Sequence, residues 1–224
     1  MDFNRIKLLF NTVKYLKFEQ IAYRVLYALR RKFVNKEYSY EIKESVEPLK
    51  WSSTMEKYTS YSENFEFHFL NITHKFEDKI DWNYNEHGKL WTYNLNYFDF
   101  LNQSSIKQSE ALILMKDYVE RTEELKDGLE PYPISLRCIN WIKYLSKKNI
   151  QDEAINKSLY NQYIRLLDNL EYHILGNHLL ENGLSLLFGA YYFKDDVFYS
   201  KAKKIIIEEL EEQILQDGAH FELS

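Results

Sequence analysis

Residues 176–183 read GNHLLENG, and Asn177, His178, Glu181 and Asn182 crowd together there between two apolar-periodic segments. Spacing i,i+4 relates Asn177 to Glu181 and His178 to Asn182, so on a helix the four form two adjacent stripes. Amide and imidazole donors beside a carboxylate can hold an anionic ligand and move a proton. A solvated polar cap accounts for the same residues. With Gly176 ending the preceding helix in a left-handed conformation, Asn177 would be the N-cap of the next. Capping explains Asn177 and leaves the other three without a role. If buried, they need partners or a ligand.

Two further stretches carry chemistry. In EPYPISLRCINWIKYL (130–145), Pro131 and Pro133 prepare a helix start, and Arg137, Trp141 and Tyr144 fall at i, i+4 and i+7. A guanidinium beside an aromatic ring suits an acidic sugar: the cation pairs with the acid and the ring packs on the pyranose. An Arg stacked on Trp at a helix surface has the same spacing. In LWTYNLNYFDFL (90–101), Tyr93, Asn94, Asn96 and Tyr97 form a tight polar and aromatic group. Its amides and phenols could hydrogen-bond sugar hydroxyls or satisfy a loop.

Several chemistries are excluded. His173 and His178 are five apart, which does not put both on one helical face, so no metal is expected. No Gly-rich phosphate loop and no G-x-S-x-G is present, and no cofactor is expected. The single cysteine, Cys138, lies among apolar neighbours and reads as a small core residue. A net charge of −5 gives no general reason to bind nucleic acid.

The elements that must position these groups are helices. Six Gly and three Pro in 224 residues argue against a turn-rich sandwich. From 105 onward apolar residues recur at helical spacing, joined by the short connections KDGLEPYP, KKNIQDE, LGN and KDDV. The expected class is all-α, an incomplete (α/α) toroid of antiparallel helical hairpins over 90–224. Residues 37–89 are less periodic and read as a mixed connector, with FEFHFLNI (65–72) extended. Residues 1–36 carry nine Lys/Arg interleaved with apolar positions. They are expected to form basic amphipathic helices docked on the rest of the chain rather than a cleaved leader, with peripheral membrane contact as the alternative. No secretory signal and no membrane-spanning run is seen, which points to a cytoplasmic or membrane-surface location.

Four segments together resemble the N-terminal helical domain of the heparinase II/III-like polysaccharide lyases. They are NLNYFDFL (94–101), PISLRCINW (133–141), NHLLEN (177–182) and DGAHFELS (217–224), in order along most of 90–224. Residues 1–89 resemble the family weakly. The resemblance implies a toroid followed by a β-sandwich, an anionic, uronic-acid-containing polysaccharide as partner, and β-elimination as the reaction. It implies Asn177 and His178 as catalytic residues, Asn177 neutralising the uronate carboxylate. Arg137, Trp141, Tyr93, Asn96, Tyr97, Glu181, His220 and Glu222 are the expected substrate-binding set. The family's catalytic Tyr would lie just past Ser224 and its sandwich beyond that, so the chain reads as truncated and is expected to be inactive alone. Members of that family are often periplasmic. Two other readings stay open: a non-catalytic polysaccharide-binding or assembly module, and a toroid glycoside hydrolase with Glu181 and Glu222 as its carboxylates.

Overall fold

The computed structural model describes residues 11, 13–33, 36–43, 45–50 and 57–221. The chain is mostly helical, with one small sheet that the all-α expectation lacked. β1 (Tyr61–Ser62), β2 (Glu66–Phe69) and β3 (Ile72–Lys75) pair antiparallel in that order, with Phe67 opposite His74 and Phe69 opposite Ile72. Leu70 and Asn71 join β2 to β3 with φ of 54° and 61°, the doubly left-handed turn that matches strand twist in tight hairpins. Alternation puts Phe67 and Phe69 on one face, where they meet Phe100 and Trp91 at ring separations of 5.3 Å each. Of the run expected to be extended at 65–72, only Glu66–Phe69 is one strand: Phe65, Leu70 and Asn71 turn with positive φ and Ile72 opens β3, because a hairpin bend interrupts the alternation.

Seven α-helices are described: α1 (Phe18–Phe33), α2 (Lys89–Tyr97), α3 (Gln108–Glu120), α4 (Pro131–Lys148), α5 (Glu153–Asp168), α6 (Gly176–Phe193) and α7 (Asp196–Gln213). Two of them start on an aspartate cap. Asp152 caps α5 by accepting from Ile155 N at 3.1 Å, and Asp195 caps α7 by accepting from Val197 N at 2.9 Å. Helix α4 begins with Pro131 at its first turn, where the missing N–H is no loss. It is the central element, packed against α2, α5 and α6 and against the 3-10 turn Asp99–Asn102. Helix α6 packs in turn on α7 and α5, and α3 on α5. One apolar core runs from Tyr61 to Ile205, so the sheet segment belongs to the same packed body as the helices.

Helix α1 docks with an inverted face. Gln20 Nε2 donates to Ile174 O at 2.9 Å, Tyr27 Oη donates to Leu170 O, and Tyr23 stacks on Tyr172 at 4.7 Å. Its apolar stripe points away: Phe18 is 85% exposed, Phe33 72%, and Val25, Leu26 and Leu29 are over half exposed. Helix α1 therefore lies against the body through its polar and aromatic side instead of its apolar one. Residues 1–10 lie outside the described residues. No helix among the described residues is long and apolar enough to cross a membrane.

Candidate functional site

Four aromatic rings form a continuous wall. Tyr93 and Tyr97, one turn apart on α2, lie 6.3 Å apart between ring centroids. Tyr97 meets Tyr132 of the α4 start at 6.2 Å, and Tyr132 meets His178 of the α6 start at 4.6 Å. The wall borders a groove of about 520 Å³ that Lys89, Glu130, Glu171 and His173 also line. Pockets of this size take ligands of a few rings.

Charged groups hold the two ends. At the α2 end, Lys89 Nζ sits 2.8 Å from Glu130 Oε1 and 3.2 Å from Asp127 Oδ1, and Tyr93 Oη donates to Glu130 Oε1 at 2.7 Å. Burial pushes the Glu130 carboxyl up, but the bonds from Lys89 and Tyr93 outweigh it and hold it below its ordinary value. Burial pushes the Tyr93 phenol up to about 12, against the nearby Lys89. Burial likewise raises Tyr97 and Tyr132. At neutral pH these phenols keep their protons, which suits them to donate hydrogen bonds and not to act as bases.

At the α6 end, a buried polar clamp positions His178. Glu171 is buried in the turn before α6; its backbone N–H donates to Asn182 Oδ1 at 2.9 Å. Asn182 Nδ2 donates to Glu171 Oε2 and Ser135 Oγ at 3.1 Å each. The second Glu171 oxygen, Oε1, is 3.2 Å from His178 Nδ1. A carboxylate behind one ring nitrogen fixes the imidazole's orientation and favours a proton on that nitrogen. The helix start itself is strained: Leu175 takes φ 65° and ψ −163°, a region almost confined to glycine. Gly176 does not terminate the preceding helix as expected; it opens α6, with Leu175 in the cap position and no side-chain cap. Asn177 is thus not a cap, and its side chain is exposed.

Of the expected site residues, Tyr93, Tyr97 and His178 come together in the groove, and Asn177 adjoins His178 in sequence on the first turn of α6. Three others are corrected. Arg137 is fully buried: Nε donates to Gln162 Oε1 at 2.7 Å, and Nη1 donates to Asn96 O at 3.0 Å and Gly128 O at 2.9 Å. Trp141 is fully buried against Phe98 at 5.3 Å and Tyr118 at 6.0 Å, so it does not stack on Arg137 at a surface. Asn96, also fully buried, donates to Trp82 O and Thr92 O at 2.9 Å each. None of the three reaches the groove: Arg137 and Trp141 lie on the α4 face that packs against α2, α3 and α5, and Asn96 lies on the buried side of α2. His220 lies past the end of α7, its Nε2 2.8 Å from Gln213 Oε1. Gln213 Nε2 donates to Glu209 Oε2 at 2.8 Å, and Glu209 accepts from the Gly176 backbone, so His220 connects to the α6 start through two side chains. Glu222 lies outside the described residues.

Glu181 is half-buried one turn beyond Asn177, and burial raises its pKa, with Asp99 adding to the rise and Lys143 and Lys57 opposing it. A folded-state value above the unfolded one makes the carboxyl's contribution fully present below about pH 4.3 and lost as pH rises through the folded value. Glu181→Gln should therefore melt at a higher temperature than the parent at pH 7 and at the same temperature near pH 3. Thermal unfolding followed by circular dichroism at the two pH values checks this; a variant melting lower at pH 7 would contradict it.

The sequence reading missed Glu171, Glu130, Tyr132 and Lys89. Glu130 and Tyr132 stood in a stretch already singled out, Glu130 just before Pro131 and Tyr132 between Pro131 and Pro133. Glu171 gave no signal, because only the fold brings the turn before α6 under His178. Comparison with family models, with curated proteins and with solved structures finds no match.

Proposed function

We propose that this chain is the helical part of a polysaccharide lyase, built as an incomplete (α/α) toroid, and that its groove binds a uronic-acid-containing glycan for β-elimination. The observation that carries this reading is the wall of Tyr93, Tyr97, Tyr132 and His178, with Asn177 on the same turn as His178. Flat rings in a row match successive pyranose faces. The packing of each helix from α4 to α7 on its neighbour in sequence, and of α4 on α6, supports the toroid.

Elimination breaks the C5–H bond and the C4–O bond, forms a C4=C5 double bond, and leaves a proton to reach the departing oxygen. The C5 proton becomes removable only when the adjoining carboxylate is neutralised by hydrogen bonds. Asn177, exposed on the same first turn of α6 as His178, would take that role. His178, oriented by Glu171, is the group to take the C5 proton, and a neutral phenol of the wall is suited to protonate the leaving oxygen.

The test is calorimetric titration of the chain with size-matched oligosaccharides of hyaluronan, alginate and heparan sulfate, and with a neutral cello-oligosaccharide. Uronate oligosaccharides should bind at least about tenfold more tightly than the neutral one, and Asn177→Ala or His178→Ala should remove that preference. Equal affinity for charged and neutral oligosaccharides would overturn the reading. Release of reducing ends without a near-ultraviolet-absorbing product would replace it with the hydrolase reading.

A further inference from the structure

A second cavity, of about 550 Å³, lies between α1 and α5 and adjoins the groove at Pro131 and His173. Its lining is strongly cationic: Arg24 and Arg30 from α1, Lys36 beyond it, and Arg165 from α5. One carboxylate answers these four cations. Asp168 Oδ1 pairs with Arg30 Nη2 at 3.3 Å, and Asp168 Oδ2 pairs with Lys36 Nζ. Arg24 and Arg165 have no carboxylate within ion-pair distance among the described residues. Arg165 is the informative one. Its guanidinium lies 4.6 Å over the Tyr38 ring, and burial lowers its pKa, with Arg137 adding to the effect and Tyr38 and Tyr118 opposing it. A partly desolvated cation whose surroundings are two tyrosines and a second guanidinium, with no carboxylate among them, is uncompensated, and such a group favours an anion at its open side. The other carboxylate nearby, Glu171, is engaged by Asn182 and His178.

The non-ionic walls limit what the anion is attached to. Tyr27, Tyr38, Leu129 and Pro131 offer aromatic and apolar surface, and Asn169 Nδ2 donates to Tyr38 Oη at 3.3 Å, keeping that ring in place. The volume exceeds what a bare tetrahedral oxyanion fills and lies in the range of small-molecule pockets. We propose that this cavity is a binding site, separate from the aromatic groove, for a sugar-sized molecule bearing a phosphate or sulfate ester. Arg24 and Arg165 contact the ester oxygens, Lys36 and Arg30 add positive potential while keeping Asp168 neutralised, and Tyr27 and Tyr38 flank the body of the ligand. Guanidinium groups suit this chemistry because their planar donors engage two oxygens of one oxyanion.

The proposal does not depend on the lyase reading, and its test uses different probes. The chain is titrated by calorimetry with glucose 6-phosphate, glucose 6-sulfate, inorganic phosphate and unmodified glucose at constant ionic strength. The two esters should bind more tightly than inorganic phosphate, and glucose should not bind. Arg165→Gln and Arg24→Gln should each weaken ester binding at least about tenfold, the loss expected for one charge-assisted contact. Tyr97→Ala, in the groove, should leave ester binding unchanged. Should Arg165→Gln fail to fold, the exposed Arg24 carries the test alone. Ester affinity unaltered in Arg24→Gln, or equal binding of glucose and its esters, would overturn the proposal. Loss of ester binding in Tyr97→Ala would also overturn it, since the two cavities would then be one site.

Discussion

Arg137→Ala is expected to unfold at a much lower denaturant concentration than the parent chain, a loss of roughly 3–5 kcal/mol. The magnitude follows from what Arg137 joins. Its guanidinium ties α4 to Gln162 on α5, to the carbonyl of Asn96 on α2, and to the carbonyl of Gly128 in the connection before α4. It also lies 4.7 Å over the ring of Tyr118 on α3. Truncation leaves two buried carbonyls without this donor and Gln162 Oε1 with only the weak Cys138 thiol at 4.0 Å, and opens a cavity among four elements; unmet buried groups alone cost about 1–3 kcal/mol each. Arg137→Lys should recover little, because a single ammonium cannot reproduce the fork that spans Gln162 and the two carbonyls. The site would feel the change as well. Gly128, at φ 84°, donates its N–H to Glu130 Oε2 at 2.8 Å, so loosening this loop frees the carboxylate that Tyr93 and Lys89 share. Chemical unfolding by tryptophan fluorescence measures the loss. Parent-like stability combined with lost glycan affinity would return Arg137 to the binding surface and refute the structural role.

Glu171→Ala is the second substitution with a large expected effect, because one side chain serves both the fold and the groove. Its carboxylate accepts from Asn182 on one oxygen and faces His178 on the other. Without it the buried Asn182 amide loses an acceptor, which should cost about 1–3 kcal/mol. His178 loses the partner of its Nδ1, so the ring no longer has a fixed tautomer or direction. Affinity for a uronate oligosaccharide should fall at least about tenfold, although the loss arises through His178. Glu171→Gln separates the two effects: its amide oxygen can still accept from Asn182, so stability should recover more than affinity does. Calorimetry on the two variants, with unfolding measured in parallel, is the check. A folded Glu171→Ala chain that binds uronate oligosaccharides as the parent does would remove Glu171 and His178 from the proposed site.

Much of the helical architecture was written locally. The 3.6-residue spacing of apolar side chains, the proline start of α4 and the aspartates before α5 and α7 act within a turn or two of the chain, so they can be read without the fold. The prominence of GNHLLENG was equally legible, as a polar interruption between apolar segments. What those polar residues do was not. Asn182 turned inward to Glu171 and Ser135 while Asn177 stayed in solvent, a division that depends on which face of α6 meets α4. The same limit explains Arg137 and Trp141: their spacing fits a surface stack or a buried strut equally well, and only the layer of α2, α3 and α5 around α4 decides for the strut. The outward apolar stripe of α1 reverses what its composition implied, because docking through Tyr23 and Tyr27 placed its polar side against the body. The groove is tertiary in full. Tyr93 and Tyr97 come from α2, Tyr132 from α4, Glu171 from a turn and His178 from α6, and contacts across such separations leave no periodic trace in sequence because each element's spacing records only its own packing.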